Sequence, residues 1–185
     1  MILRIFAFFF VSVALMVVEV CGQDYVGTCQ VRFEGSSNLH DFSGTVNGVP
    51  IQAQRRGDVF EMESQVTIGG MRTGNEKRDK RMWQMFEKVR YPLLVLSVKR
   101  ASVEGARPNE GAGCVLVEME VRGKRVPVEA AITNLKEGKE QVTFDVSMQL
   151  SLKALGLIAP KALLGTVQVK DKVRVLSRVS LKEKS

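Results

Sequence analysis

The chain has 185 residues, 45% hydrophobic and 25% charged, and carries 27 Lys and Arg against 20 Asp and Glu, for a formal net charge of +7. A chain of this size needs no more than one core, and its single His and three Cys argue against a Cys/His cluster with metal-ligand spacing. The positive balance points toward anionic lipid or polymer and away from nucleic acid, because the densest basic stretch, Lys77 to Arg81, is interrupted by Asp79 and preceded by Glu76, as on a solvated helix face.

The N-terminus opens with Arg4, an uncharged and mostly apolar run from Ile5 to Val18, and then Glu19, Val20, Cys21 and Gly22. One positive charge, a short apolar stretch and short side chains at the cut are the features of a secretory signal. A membrane anchor would need roughly 20 apolar residues, and Glu19 ends this run early. Bulky Val20 and charged Glu19 also argue against a lipoprotein signal that would leave Cys21 at the new N-terminus. The expectation is a cleaved signal over residues 1–22 and one mature domain over 23–185. Removing Arg4 and Glu19 takes one charge of each sign, so the mature chain keeps +7. Cleavage also removes Cys21 and leaves Cys29 and Cys114, which an oxidising compartment would permit to pair as a disulfide. The alternative is two buried thiols acting as small apolar groups, and spacing does not choose between them.

Beyond the signal the dominant period is two, the mark of half-buried strands. Gly35-Ser36-Ser37-Asn38 reads as a turn, after which His40, Phe42 and Val46 share an inward face and Asp41 points away. Phe60, Met62, Val66 and Ile68 form the next apolar face. The period then changes: over residues 75–90, Met82, Met85, Phe86 and Val89 fall at the i, i+3, i+4, i+7 spacing of an amphipathic helix. Thr73 or Asn75 can cap its start, Glu76 suits the helix dipole, and Tyr91-Pro92 ends it.

Alternation returns in Val115, Val117, Met119 and Val121, and in Val126, Val128, Ala130 and Ile132. It is clearest in Val142, Phe144, Val146, Met148, Leu150 and Leu152. The last face is Val167, Val169, Val173, Val175, Val179 and Leu181, interrupted by Asp171 and Ser177, and an acid on an apolar face needs a partner. Asn47-Gly48, Gly57-Asp58, Gly69-Gly70, the stretch from Pro108 to Gly113, Arg122-Gly123-Lys124 and Glu137-Gly138-Lys139 read as hairpin turns. The fold class is all-β, with about eight antiparallel strands and one amphipathic α-helix. Eight strands can close into a barrel, and a two-sheet sandwich would explain the same alternation.

Chemistry is sparse. The chain has no G-x-S-x-G, no G-x-G-x-x-G and no P-loop. Its carboxylates are scattered, and a lone inward His40 is read first as a hydrogen-bonded structural residue. No cofactor or metal is expected, and no enzyme activity.

Several segments, taken in order, resemble the YceI-like family of lipid-binding, lipocalin-like proteins, from about Val26 to Leu181. The first is Phe33-Glu34-Gly35-Ser36-Ser37-Asn38-Leu39-His40-Asp41-Phe42-Ser43-Gly44. Thr73-Gly74-Asn75, Arg78-Asp79, Met82 and Tyr91-Pro92 follow, then Arg125-Val126-Pro127-Val128 and the run from Val167 to Val173. The resemblance implies an antiparallel lipocalin-like β-barrel with an apolar interior, in an exported and usually periplasmic protein. It implies as partner an apolar lipid, a polyisoprenoid or fatty acyl chain, held without covalent change.

The inward residues would then line the ligand site: Phe42, Phe60, Met62 and Val66 from the first half, and Met82, Met85 and Phe86 from the helix. From the second half come Val115 and Val117, then Val142, Phe144, Val146 and Met148, then Val173 and Val175. His40 and Asp171 are the candidates for fixing a polar head group. The basic surface would allow peripheral contact with an anionic membrane. The competing reading is a ligandless envelope protein with a solid core and a basic interaction surface.

Overall fold

Alternating side chains become strand throughout a computed structural model that describes residues 22–106, 113–162 and 166–184. The long strands are β1 (Gln23–Ser37), β2 (Asp41–Arg56), β3 (Val59–Thr67), β4 (Leu93–Ser102), β5 (Gly113–Val121), β6 (Lys124–Glu137), β7 (Gln141–Ser151) and β9 (Val167–Glu183). A two-residue β8 (Lys161–Ala162) pairs with the start of β9. All pairings are antiparallel, each strand from β1 to β7 with its successor and β7 with β9. β9 returns to β1, with Tyr25 opposite Glu183 and Phe33 opposite Val175, so the sheet closes into an eight-strand barrel. Closure removes the free edges that a sandwich would keep. The expected signal segment, except Gly22, and the turn from Pro108 to Gly113, except Gly113, lie outside the described residues.

Burial follows the pleat. Along β5, Val115, Val117, Met119 and Val121 are buried while Cys114 and Leu116 are exposed. Burying each such side chain contributes about 1.5–3 kcal/mol. Two departures from strict alternation matter. The expected hairpin at Asn47-Gly48 is a β-bulge inside β2. Cys29 pairs with Val49 and Val31 with Val46, so one β1 residue faces two on β2, and Gly48 takes φ +64. On β9 the register against β1 jumps from Val173 opposite Gly35 to Val169 opposite Ser37, which turns the intervening residues out of the inward face.

The turns at Gly57-Asp58 and Arg122-Gly123 form as expected. Both Arg122 (φ 52) and Gly123 (φ 74) adopt the left-handed conformations of a type I′ hairpin. The helix, α1 (Glu76–Met85), is shorter than residues 75–90. Asn75 is its cap, its side chain accepting a hydrogen bond from the Arg78 N–H at 3.1 Å. Met82 and Phe86 are buried and Met85 half-buried, but Val89 is 98% exposed. After Met85 the chain leaves the helix through Glu87 at φ 53, so the seven-residue spacing no longer brings Val89 to the apolar face. A single-turn helix, α2 (Val103–Ala106), follows β4.

Candidate functional site

Four connections gather at one end of the barrel: the β1–β2 turn, the β3–α1–β4 crossover, the tight β5–β6 turn and the β7–β9 connection. Ser37 organises the first. Its hydroxyl donates to the His40 carbonyl at 2.9 Å and accepts from the N–H groups of Leu39 and His40. Asn38 ties this turn to the β7–β9 connection, donating to the Thr166 carbonyl at 2.8 Å and accepting from the Gln168 N–H at 3.0 Å. Asp171 braces the same connection from outside, accepting from the Ser151 hydroxyl and the Lys153 N–H, both at 2.7 Å.

Helix α1 is pinned across this end by a buried acid. Asp79, 4% exposed, accepts from both the N–H (2.9 Å) and the hydroxyl (2.5 Å) of Thr73. Trp83 adds a second tie: its indole N–H donates to the Met71 carbonyl at 3.3 Å, and the cations of Arg72 and Lys88 lie over its ring, 4.6 and 4.2 Å from the centroid. Arg72 in turn bridges to Thr45 on β2. A side chain at Gly44 would collide with the Phe33 ring and the Arg72 carbonyl, so this close crossing requires glycine there. The Ser-Asn and Thr-Gly-Asn…Asp segments thus build the rim and its lid.

Beneath the lid lies a cavity of about 430 Å³. It reaches from His40, Asn75, Arg78 and Arg81 at the mouth down to Met62, Ile132 and Phe144 inside the barrel. Of the residues anticipated from sequence, Phe42, Met62, Val66, Met82, Met85 and Phe86 line it, as do Val117, Phe144, Val146, Met148, Val173 and Val175. Phe60 and Val142 instead line a second cavity, of about 290 Å³, toward the opposite end. Val115 is buried between neighbouring strands and lines neither.

Two expectations about polar groups are corrected. Asp171 does not enter the cavity: the β9 register jump turns it outward, and hydrogen bonds from Ser151 and Lys153 hold its carboxyl below the ordinary carboxylate range. His40 does border the cavity, but from an exposed turn at the rim and not from a strand face. Cys29 and Cys114 form no disulfide. Cys29 is buried on β1 facing the cavity, Cys114 is exposed on β5, and these strands are not neighbours. Burial pushes the Cys29 thiol up, against a smaller opposing effect of a hydrogen bond with Ser177.

The charged residues of the cavity that sequence reasoning missed are Arg78 and Arg81. Both reach the mouth from α1, and among the described residues neither forms an ion pair with an acid; Arg78 lies 5.3 Å over the Phe42 ring. The signal was present: positions 78, 81, 82 and 85 share one helical face, so the arginines sit one turn before the apolar residues that cover the cavity. The wall is otherwise almost wholly hydrocarbon, apart from Ser37, Ser64, Thr73 and Ser177. Such an arrangement can bury a chain of carbon atoms and meet a polar or anionic end at the rim.

No curated protein matches the chain. Among solved structures it is similar to a polyisoprenoid-binding domain from Saccharophagus degradans implicated in plant cell wall breakdown, at 11% identity and TM-score 0.60, covering 86% of this chain and 98% of that one. It is similar to BcnA of Burkholderia cenocepacia at 14% identity and TM-score 0.65, covering 82% and 95%. It also resembles the YCEI protein of Campylobacter jejuni at 17% identity and TM-score 0.52, covering 68% and 73%. At these identities the likeness is one of fold. The family profile described as the YceI-like domain matches residues 24–181, the whole barrel from β1 to β9, and the chain therefore belongs to the YceI-like family.

Proposed function

We propose that this protein is an exported, non-enzymatic carrier, with the periplasm as its place of action, that takes one amphiphilic lipid into the larger cavity. The observation that carries this reading is the 430 Å³ cavity with a hydrocarbon wall and a mouth bordered by Arg78, Arg81 and His40. A solid-core interaction protein would pack this volume at the density of ordinary interiors. Each buried methylene contributes about 0.8 kcal/mol, so an acyl or isoprenoid chain of roughly ten carbons leaves useful affinity after the cost of association. Arg78 and Arg81 favour a phosphate or carboxylate head over a neutral one, through charge-assisted hydrogen bonds at the rim. The polyisoprenoid binding named for the Saccharophagus degradans domain supports an isoprenoid tail.

The same end of the molecule suits an anionic membrane surface. Lys77, Lys80 and Arg81 are exposed on α1 beside the mouth, so a peripheral encounter would bring the opening toward the lipid. The test is native mass spectrometry of protein purified from its own envelope fraction, with organic extraction of whatever dissociates. A one-to-one apolar adduct is expected. A clean apo mass that stays unchanged after incubation with polyisoprenyl phosphates and fatty acids would overturn the carrier reading in favour of a ligandless interaction protein.

A further inference from the structure

Two cavities occupy the barrel interior. The mouth cavity and the second cavity share three lining residues, Met62 on β3, Ile132 on β6 and Phe144 on β7. In the ring of eight long strands, β3 and β7 lie four strands apart, on opposite walls, and β6 adjoins β7. Side chains from opposite walls therefore border both cavities at one level of the lumen. Phe144 is buried where β7 pairs with β9 opposite Val179, and Met62 is half-buried where β3 pairs with β2 opposite Ala53 and with β4 opposite Val98. Below this level the wall changes character: Phe60, Val142 and Leu181 give way to a rim bearing Arg55 and Lys139 together with Glu137, Glu140 and Glu183.

We propose that Phe144, with Met62 and Ile132, is a septum that sets the length of apolar chain the protein accepts. This rests on the carrier reading above. A tail entering beside Arg78 and Arg81 descends through hydrocarbon until it meets the Phe144 ring, and carbons beyond that depth remain outside the mouth in water. Without the aromatic ring the two cavities join, and the space open to the tail grows by about two thirds, from 430 Å³ by a further 290 Å³. Phe144 is a specificity residue in this role, because it decides where the tail stops and touches no head group. Met62, flexible and unbranched, can adjust the seal without opening it.

The test is calorimetric titration of the purified protein with straight-chain saturated fatty acids lengthened two carbons at a time. Affinity should rise by about fourfold per methylene while the chain is still filling the cavity, then level off sharply at one length. In Phe144→Ala the plateau should move to longer chains. Phe144→Leu and Met62→Ala, which remove less from the core, should move it in the same direction by less, and they serve if the alanine variant does not fold. Binding that keeps rising with length in the unaltered protein, or a plateau unmoved in every folded variant, would overturn the septum while leaving the carrier reading intact. No binding at any length, of fatty acids or of polyisoprenyl phosphates, would overturn both.

Discussion

The two ends of the barrel are built from the same strands and differ in what closes them. At the mouth end, the β3–α1–β4 crossover is braced by a buried carboxylate, an N-cap and an indole that two cations overlie, and the charges facing the cavity are arginines. At the other end, the tight turn at Gly138 and helix α2, through Val103 and Ala106, border a smaller cavity whose rim mixes Arg55 and Lys139 with three glutamates. A rim of both signs satisfies itself. A rim of one sign leaves its charge open to an external counter-charge, which favours the mouth end as the entrance proposed for the ligand.

The largest expected effect comes from removing the anchor of that end. Asp79→Ala leaves the Thr73 N–H without its acceptor inside the lid and should lower stability by ~3 kcal/mol, seen in urea unfolding as a lower midpoint at unchanged slope. A midpoint equal to that of the unaltered protein would mean that the lid is held by other means and that the two ends are equally independent of it.

Charge reversal sharpens the contrast more directly. Arg78→Glu with Arg81→Glu should weaken binding of an acidic lipid at least tenfold, about 1.4 kcal/mol, whereas Arg55→Glu at the opposite rim should leave it within about twofold, the range of a screened surface charge. Equal losses from both ends, measured by titration with the same fatty acid, would remove the distinction between entrance and base.

Replacing the helix cap is a milder change at the same end. Asn75→Ala should cost about 1 kcal/mol in global stability, readable in the same urea experiment, and no change would show that Asp79 alone starts the helix.

The smallest effect is acid sensitivity. Asp171, held low by Ser151 and Lys153, and Asp145, held low by Arg178 and Asn134, both have folded-state values below their unfolded ones. Their stabilising contribution is therefore present above the ordinary carboxylate range and is lost as pH falls through the folded values. Between about pH 5 and pH 2, Tm should fall less steeply in Asp171→Asn than in the unaltered protein, and identical slopes would remove Asp171 from the brace of the β7–β9 connection.

Much of this architecture was legible in the residues. Alternation in Val115 to Val121 and in Val142 to Leu152 marks inward faces because side chains on a strand must point to opposite sides. The spacing of Met82, Met85 and Phe86 marks a helix for the same kind of local reason. Twelve of the fifteen apolar residues named from the sequence border the mouth cavity, nine because the pleat sets an inward strand face and three because helical spacing sets an inward helix face. The failures have a common source. Asp171, Val89 and Asn47-Gly48 each depend on a bulge, a helix end or a register jump imposed by a partner strand or lid, which no short window of sequence contains.

By itself, then, the sequence determined an all-β chain, the faces of its strands, one amphipathic helix with its cap, and the segments that mark its family. The tertiary structure decided that the sheet closes from β9 to β1, that Arg78 and Arg81 stand over the opening, that Cys29 and Cys114 lie apart, and that Phe144 and Met62, from opposite walls, border both cavities. The division is physical: periodicity and capping are interactions between residues a few positions apart, whereas closure, mouth and septum are contacts between strands brought together only when the barrel forms.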